Sequence, residues 1–169
     1  MKLRAAVLIT GCAMLAGSSF AANEYSNRRA PGFSLADSKY QQHDTQDYRG
    51  KVLIIDFMQT TCAVCMKLTD ELVQMKQKYG DRIAILSVTT LPDNYQTGDK
   101  FSAEHKLSWP VLFDSGQVMM SYLKVTPVNP QVHFPHVFIV DGNGMIRYDF
   151  EGAMNAGEVS AEIDKLLKQ

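Results

Sequence analysis

The sequence predicts an α/β fold in which a central mixed β-sheet is flanked by helices, and three observations carry that prediction. Two apolar runs, Val52-Leu53-Ile54-Ile55-Asp56-Phe57 and Ile83-Ala84-Ile85-Leu86-Ser87-Val88, have the length and near-continuous apolar character of buried strands. The segment between them carries apolar residues three or four apart, so the three pieces form a βαβ unit with parallel strands and a right-handed crossover. Near the C-terminus, the strand-like stretches 137–140 and 145–150 flank Asp141-Gly142-Asn143-Gly144, a hairpin turn that adds antiparallel pairing. The 169 residues suffice for one domain with a real core, and 46% apolar and 21% charged residues are ordinary for a globular chain.

At the N-terminus, Lys2 and Arg4 precede an apolar stretch from Ala5 to Ala16, and Ser19-Phe20-Ala21 places small residues where a signal peptidase reads. Residues 1–21 are therefore expected to be a cleaved signal peptide and residues 22–169 the folded domain. The apolar run is shorter than the roughly 18 residues of a membrane span. Ile9-Thr10-Gly11-Cys12 also has the form of a lipobox, which would make Cys12 a lipidated N-terminus; the very short apolar stretch before it favours cleavage after Ala21.

Residues 22–35 read as an exposed lead-in, and Tyr48-Arg49-Gly50-Lys51 as a polar turn before the first strong strand. In the helix that follows the cysteines, Leu68, Leu72, Met75 and Tyr79 share one face, and Gly80-Asp81 ends it. A loop is expected over 92–98, a short helix over 100–106, an extended piece over 109–114 and another helix over 116–124. Pro127 and Pro130 prevent that helix from continuing. A last amphipathic helix over 156–168 sets Val159, Ile163, Leu166 and Leu167 on one side.

The net charge is −1, and removal of Lys2 and Arg4 with the leader makes it about −3. No basic patch with interleaved aromatics is present in the sequence, so nucleic acid is not an expected partner. Of the three cysteines, Cys62 and Cys65 remain after cleavage. A strand that delivers Cys62 to the first turn of a helix sets its sulfur against unpaired backbone N–H groups and the positive end of the helix dipole, both of which favour thiolate. Cys65, one turn on, can attack a mixed disulfide formed at Cys62. A purely structural staple would gain little entropy from so small a loop, so the pair reads as a dithiol/disulfide exchange site. His43 and His105 read as surface residues, whereas His133 and His136 flank Pro135.

The order β-α-β-α-β-β-α with Cys-x-x-Cys after the first strong strand reads as the thioredoxin fold. The sequence also resembles the TlpA/ResA branch of exported thioredoxin-like proteins. Three motifs carry the resemblance, in the family's order: Arg49-Gly50-Lys51-Val52-Leu53-Ile54-Ile55-Asp56-Phe57 leading into Cys62, then Trp109-Pro110-Val111-Leu112-Phe113-Asp114, then Phe134-Pro135-His136-Val137-Phe138-Ile139-Val140-Asp141-Gly142-Asn143-Gly144. It implies a thiol–disulfide oxidoreductase in which Cys62 attacks and Cys65 resolves. It further implies a cis Phe134–Pro135 bond beside the disulfide, with the Phe134 backbone free to pair with a bound peptide. Asp56 would lie buried behind the disulfide, its pKa raised, and take the proton of Cys65; this tilts the reading toward a reductant.

Implied partners are protein thiols and disulfides, apocytochromes among them, and a membrane or thioredoxin-like electron donor. The implied location is periplasmic or otherwise extracytoplasmic, and the implied redox group is the Cys62–Cys65 disulfide alone, without a cofactor. The chain departs from the family at Thr61, where tryptophan is usual, and at Met58, where a second aromatic is common. The partner-facing surface around Thr61 therefore differs.

A second resemblance, to the SCO copper proteins of the same fold, would make Cys62, Cys65 and His133 copper ligands, since His133 lies five residues before Phe138. The SCO spacing is Cys-x-x-x-Cys, one residue longer, and Pro135 favours the redox reading. A peroxiredoxin site is a weaker match: Thr60 and Thr61 are suggestive, but the proline expected before the cysteine is missing from the stretch 56–61.

Overall fold

The computed structural model describes residues 25–168; the expected signal peptide and Cys12 lie outside the described residues. In chain order the elements are β1 (Arg28–Arg29), β2 (Ser34–Ala36), β3 (Gln42–Asp44), β4 (Val52–Met58), α1 (Ala63–Tyr79), β5 (Ile83–Thr89), α2 (Tyr95–Glu104), β6 (Val111–Phe113), α3 (Gln117–Leu123), β7 (His136–Val140), β8 (Met145–Glu151) and α4 (Ala156–Leu166). Six strands make one sheet in the order β1-β8-β7-β4-β5-β6, and β2 pairs with β3 separately. Strands β4, β5 and β6 run parallel, while β7, β8 and β1 join antiparallel, so the sheet is mixed.

Strand alternation divides the core between two faces. Val52, Ile54, Ile83, Ile85, Val137 and Ile139 pack against Leu68, Leu72 and Met75 of α1 and Val159, Ile163 and Leu166 of α4. Leu53, Ile55, Phe57, Leu86, Val88 and Phe138 face the other way, toward Tyr122 and Leu123 of α3. Every residue of β4 and β5 is buried, which is why both strands read as continuous apolar runs rather than as an alternation.

Three expectations need correction. Helix α2 begins at Tyr95, five residues before the expected start. Asn94 caps it, accepting from the Gln96 and Thr97 N–H groups at 2.9 and 3.1 Å, and the Thr97 hydroxyl accepts from the Asn94 N–H at 3.0 Å. Gly98, a loop signal in the sequence, sits inside this helix where it passes close to Val111, a Cβ there lying 3.2 Å from Cγ1 of that residue. The lead-in is not merely exposed coil, since β1 extends the sheet at β8 and the β2–β3 hairpin follows it. Finally, His43 is largely enclosed, its Nε2 3.2 Å from Asp37 and its Nδ1 3.2 Å from the Tyr48 hydroxyl.

Candidate active site

Strand β4 is central in the sheet, and residues 59–61 carry the chain from its end into α1. Cys62 is the N-cap residue of α1, with extended backbone (φ −83°, ψ 115°), and its Sγ accepts the Cys65 N–H at 3.2 Å. The two cysteines form a disulfide with Cα atoms 5.2 Å apart. Their exposures differ. Cys62 is half-buried, whereas Cys65 has no exposed surface and packs with Met58 and Phe101. A macromolecular partner can therefore reach the first sulfur and not the second. The cap position sets the Cys62 sulfur against helix N–H groups, an arrangement that favours negative charge at that place.

The Phe134–Pro135 bond, just before β7, is cis. Pro135 is buried, half-buried Phe134 packs against the cluster containing both cysteines, and the Phe134 carbonyl oxygen lies 3.9 Å from the Cys62 sulfur. Thr61 is exposed immediately before Cys62, and Val64, between the cysteines, is 43% exposed. Thr61, Phe134 and Pro135 thus stand around the accessible sulfur, on loops held by β4, α1 and β7.

Asp56 is completely buried in β4, between β5 and β7, opposite Ser87 and Val137. It shares a sheet face with Ile54, which packs in the cluster of Leu68 and Leu72, and with Met58, which packs on Cys65. The carboxyl therefore lies beneath the first turns of α1. Its Oδ2 accepts from the Ser87 hydroxyl at 3.3 Å, and its Oδ1 has no hydrogen-bond partner among the described residues. Burial pushes the Asp56 carboxyl up to about 7, the Ser87 hydroxyl offsetting part of the rise.

Two groups escaped the sequence reading. Asp93, nearly buried, accepts from the Thr60 N–H at 2.9 Å, from the Thr60 hydroxyl at 2.5 Å and from the Thr97 hydroxyl at 2.9 Å. It ties the loop before Cys62 to α2, and it engages the Thr60 hydroxyl that looked suggestive of peroxide chemistry. Pro92 to Gly98 reads as a loop in the sequence, and the partner of Asp93, 33 residues away, leaves no local signal. The other group is a buried pair beyond the Pro135 loop, with His136 Nε2 3.2 Å from Asp149 Oδ2 and the His136 ring stacked on Phe138 at 4.6 Å.

The copper alternative is not assembled. His133 is exposed, its Nδ1 3.9 Å from Glu151 Oε1, and among the described residues no group of three His, Cys, Asp or Glu side chains is placed to hold a metal. The chain turns at Phe134–Pro135 so that the Phe134 carbonyl, and not the His133 ring, comes beside the sulfur. Among the described residues, no helix is long and apolar enough to cross a membrane.

Residues 27–149 match the profile of the AhpC/TSA family. The thiol-disulfide oxidoreductase ResA of Geobacillus thermodenitrificans is 27% identical over 140 residues, which cover 81% of this chain and 75% of that protein. The thioredoxin-like protein YneN of Bacillus subtilis is 24% identical over 139 residues, 81% of this chain and 78% of its own. A crystal structure of a thiol:disulfide interchange protein of the thioredoxin family from Chlorobium tepidum superposes with a TM-score of 0.73, covering 83% of this chain and 97% of that one at 15% identity. The structural likeness establishes a thioredoxin-like fold.

Proposed function

This chain belongs to the AhpC/TSA family and is a thiol–disulfide oxidoreductase of thioredoxin-like fold, and from that premise we propose that it is an exported reductase of protein disulfides. The observation that carries the reading is the asymmetry of the pair, a reachable Cys62 at the helix cap bonded to a fully buried Cys65. In the reduced protein the Cys62 thiolate attacks a partner disulfide and releases one partner thiolate. Cys65 then attacks Cys62 Sγ, the bond from Cys62 to the partner breaks, and the second partner sulfur leaves. Asp56 takes the Cys65 proton. Two electrons pass to the partner, and the disulfide itself is the redox group.

Thr61 and the Phe134–Pro135 segment receive an extended stretch of the partner beside the sulfur, where the Phe134 backbone can pair with it. The charge and apolar pattern of residues 1–21 supports export. The likeness to TlpA/ResA proteins makes apocytochromes fitting substrates and calls for a membrane or thioredoxin-like donor to re-reduce the pair.

Two measurements test the reading. Cys65→Ser accumulates a mixed disulfide at Cys62 with a disulfide-bearing peptide, seen by mass under non-reducing conditions, whereas Cys62→Ser forms none. Equilibration of the Cys62–Cys65 pair in graded thiol buffers gives a midpoint of about −270 mV for a reductant; a midpoint of about −120 mV would reverse the direction.

A further inference from the structure

The polar chain behind the disulfide has a direction. An indole N–H only donates, and Trp109 Nε1 lies 3.0 Å from Ser87 Oγ, so it donates to the hydroxyl oxygen. Ser87 is fully buried, and its single hydrogen points to Asp56 Oδ2 at 3.3 Å. The two oxygens of Asp56 are therefore inequivalent. Oδ2 receives a donor, and Oδ1 is buried with no partner among the described residues. A proton that arrives on Asp56 settles on Oδ1, because Oδ2 already faces a hydrogen. Ser87 from β5 and Val137 from β7 flank Asp56, Ile54 and Met58 share its face of β4, and Met58 packs in turn on Cys65 of α1; burial and the Ser87 hydroxyl, with no charged side chain, set its titration.

We propose that Ser87 and Trp109 are positioning residues of the exchange reaction: the indole orients the Ser87 hydroxyl, and that hydroxyl reserves Asp56 Oδ1 as the atom that takes the Cys65 proton. This rests on Asp56 being the proton acceptor of the resolving step. In that step the Cys65 S–H proton goes to Asp56 Oδ1, and the Cys65 sulfur bonds to Cys62 Sγ. The bond between Cys62 and the partner breaks, and the partner sulfur leaves with the electron pair as thiolate. Cys62 and Cys65 are oxidised, the partner is reduced, and Asp56 passes its proton on to solvent. Without the indole, the Ser87 hydroxyl is free to rotate away, and the distinction between the two oxygens is lost.

The chain contains a single tryptophan, so its indole N–H gives one assignable NMR resonance. The test follows that resonance and the Asp56 side-chain carboxyl carbon through a pH titration of the oxidised protein, residues 22–169. In the wild type both signals move with one shared midpoint. Ser87→Ala raises the Asp56 midpoint by about half a pH unit or more and uncouples the indole from it. Trp109→Phe moves the Asp56 midpoint the same way by less, and Ser87→Thr restores the wild-type behaviour. In stopped-flow resolution of a preformed Cys62 mixed disulfide, Ser87→Ala shifts the pH–rate midpoint equally while the rate of Cys62 attack stays unchanged.

An indole signal that stays flat through the Asp56 titration, or an unmoved Asp56 midpoint in Ser87→Ala, overturns the relay. If Asp56→Asn leaves the resolution rate and its pH profile intact, the proton role of Asp56 falls and the relay falls with it, a result that requires no Ser87 variant. Should Ser87→Ala fail to fold, the wild-type indole titration and Trp109→Phe decide the question.

Discussion

A carboxyl group with no exposed surface resists ionisation, and Asp56 has one hydroxyl to help it. Its folded-state pKa of about 7 stands above the ordinary 3.8, so between those values the folded chain keeps a proton that the unfolded chain has lost. The associated stability is fully present below about pH 4 and is lost as pH rises to about 7, approaching about 4 kcal/mol at 1.36 kcal/mol per unit. Asp56→Asn should therefore be more stable than wild type at pH 8, by about 2–4 kcal/mol, with the difference closing toward pH 4. Urea unfolding of the oxidised proteins at the two pH values checks this. The same variant should resolve its mixed disulfide about 100-fold more slowly at neutral pH, measured by stopped flow. Greater stability joined to slower chemistry separates a functional acid from one retained for packing. The sequence placed Asp56 correctly inside a strand, because an acid among Ile54, Ile55 and Phe57 is a local anomaly. Its hydroxyl partner, 31 residues away, lies beyond any local pattern.

At the level of elements, the site depends on how the loop from β4 to α1 is held. Asp93 ties that loop to α2, because one nearly buried carboxyl group collects three donors from the two segments. Asp93→Ala leaves the Thr60 N–H and hydroxyl without their acceptor, while the Thr97 hydroxyl keeps the Asn94 carbonyl at 3.0 Å, and a loss of about 1–3 kcal/mol is expected in urea unfolding. The same contacts explain the misplaced helix start. Pro92 and Gly98 read as loop residues, yet Pro92 precedes the Asn94 cap, and Gly98 gives the helix room where it meets Val111. Periodicity located α1 well because its apolar face is regular; α2 has only Gly98 and Phe101 buried, too few positions to set a period.

Over the whole molecule, the lead-in is a clasp. Ser26 Oγ bonds Asp149 on β8 at 2.5 Å, Arg28 donates to the Tyr122 carbonyl of α3, and the Tyr122 hydroxyl donates to the Pro31 carbonyl at 2.8 Å. The Tyr25 ring also meets His136 edge-on at 5.4 Å, next to the Pro135 loop. A variant beginning at Gly32 should lower the urea midpoint, with a loss of about 3 kcal/mol from several bonds near 1 kcal/mol each, while still forming the Cys62–Cys65 disulfide. Circular dichroism and thiol counting report the two properties separately. Short strands such as β1, with two residues, have no period to read, so their place at the sheet edge came only from pairing with β8.

The sequence by itself determined the alternation of buried strands and helices, the hairpin and the exchange pair at a helix start. These depend on local periodicity, turn chemistry and a spacing of three, all carried by neighbouring residues. Tertiary structure alone decided that Cys65 is sealed while Cys62 is reachable, that the Phe134 carbonyl and not His133 faces the sulfur, and that Asp56, Ser87 and Trp109 line up. Those facts depend on burial and on contacts between segments 22 to 72 residues apart, which exist only after β4, β5 and β7 have paired.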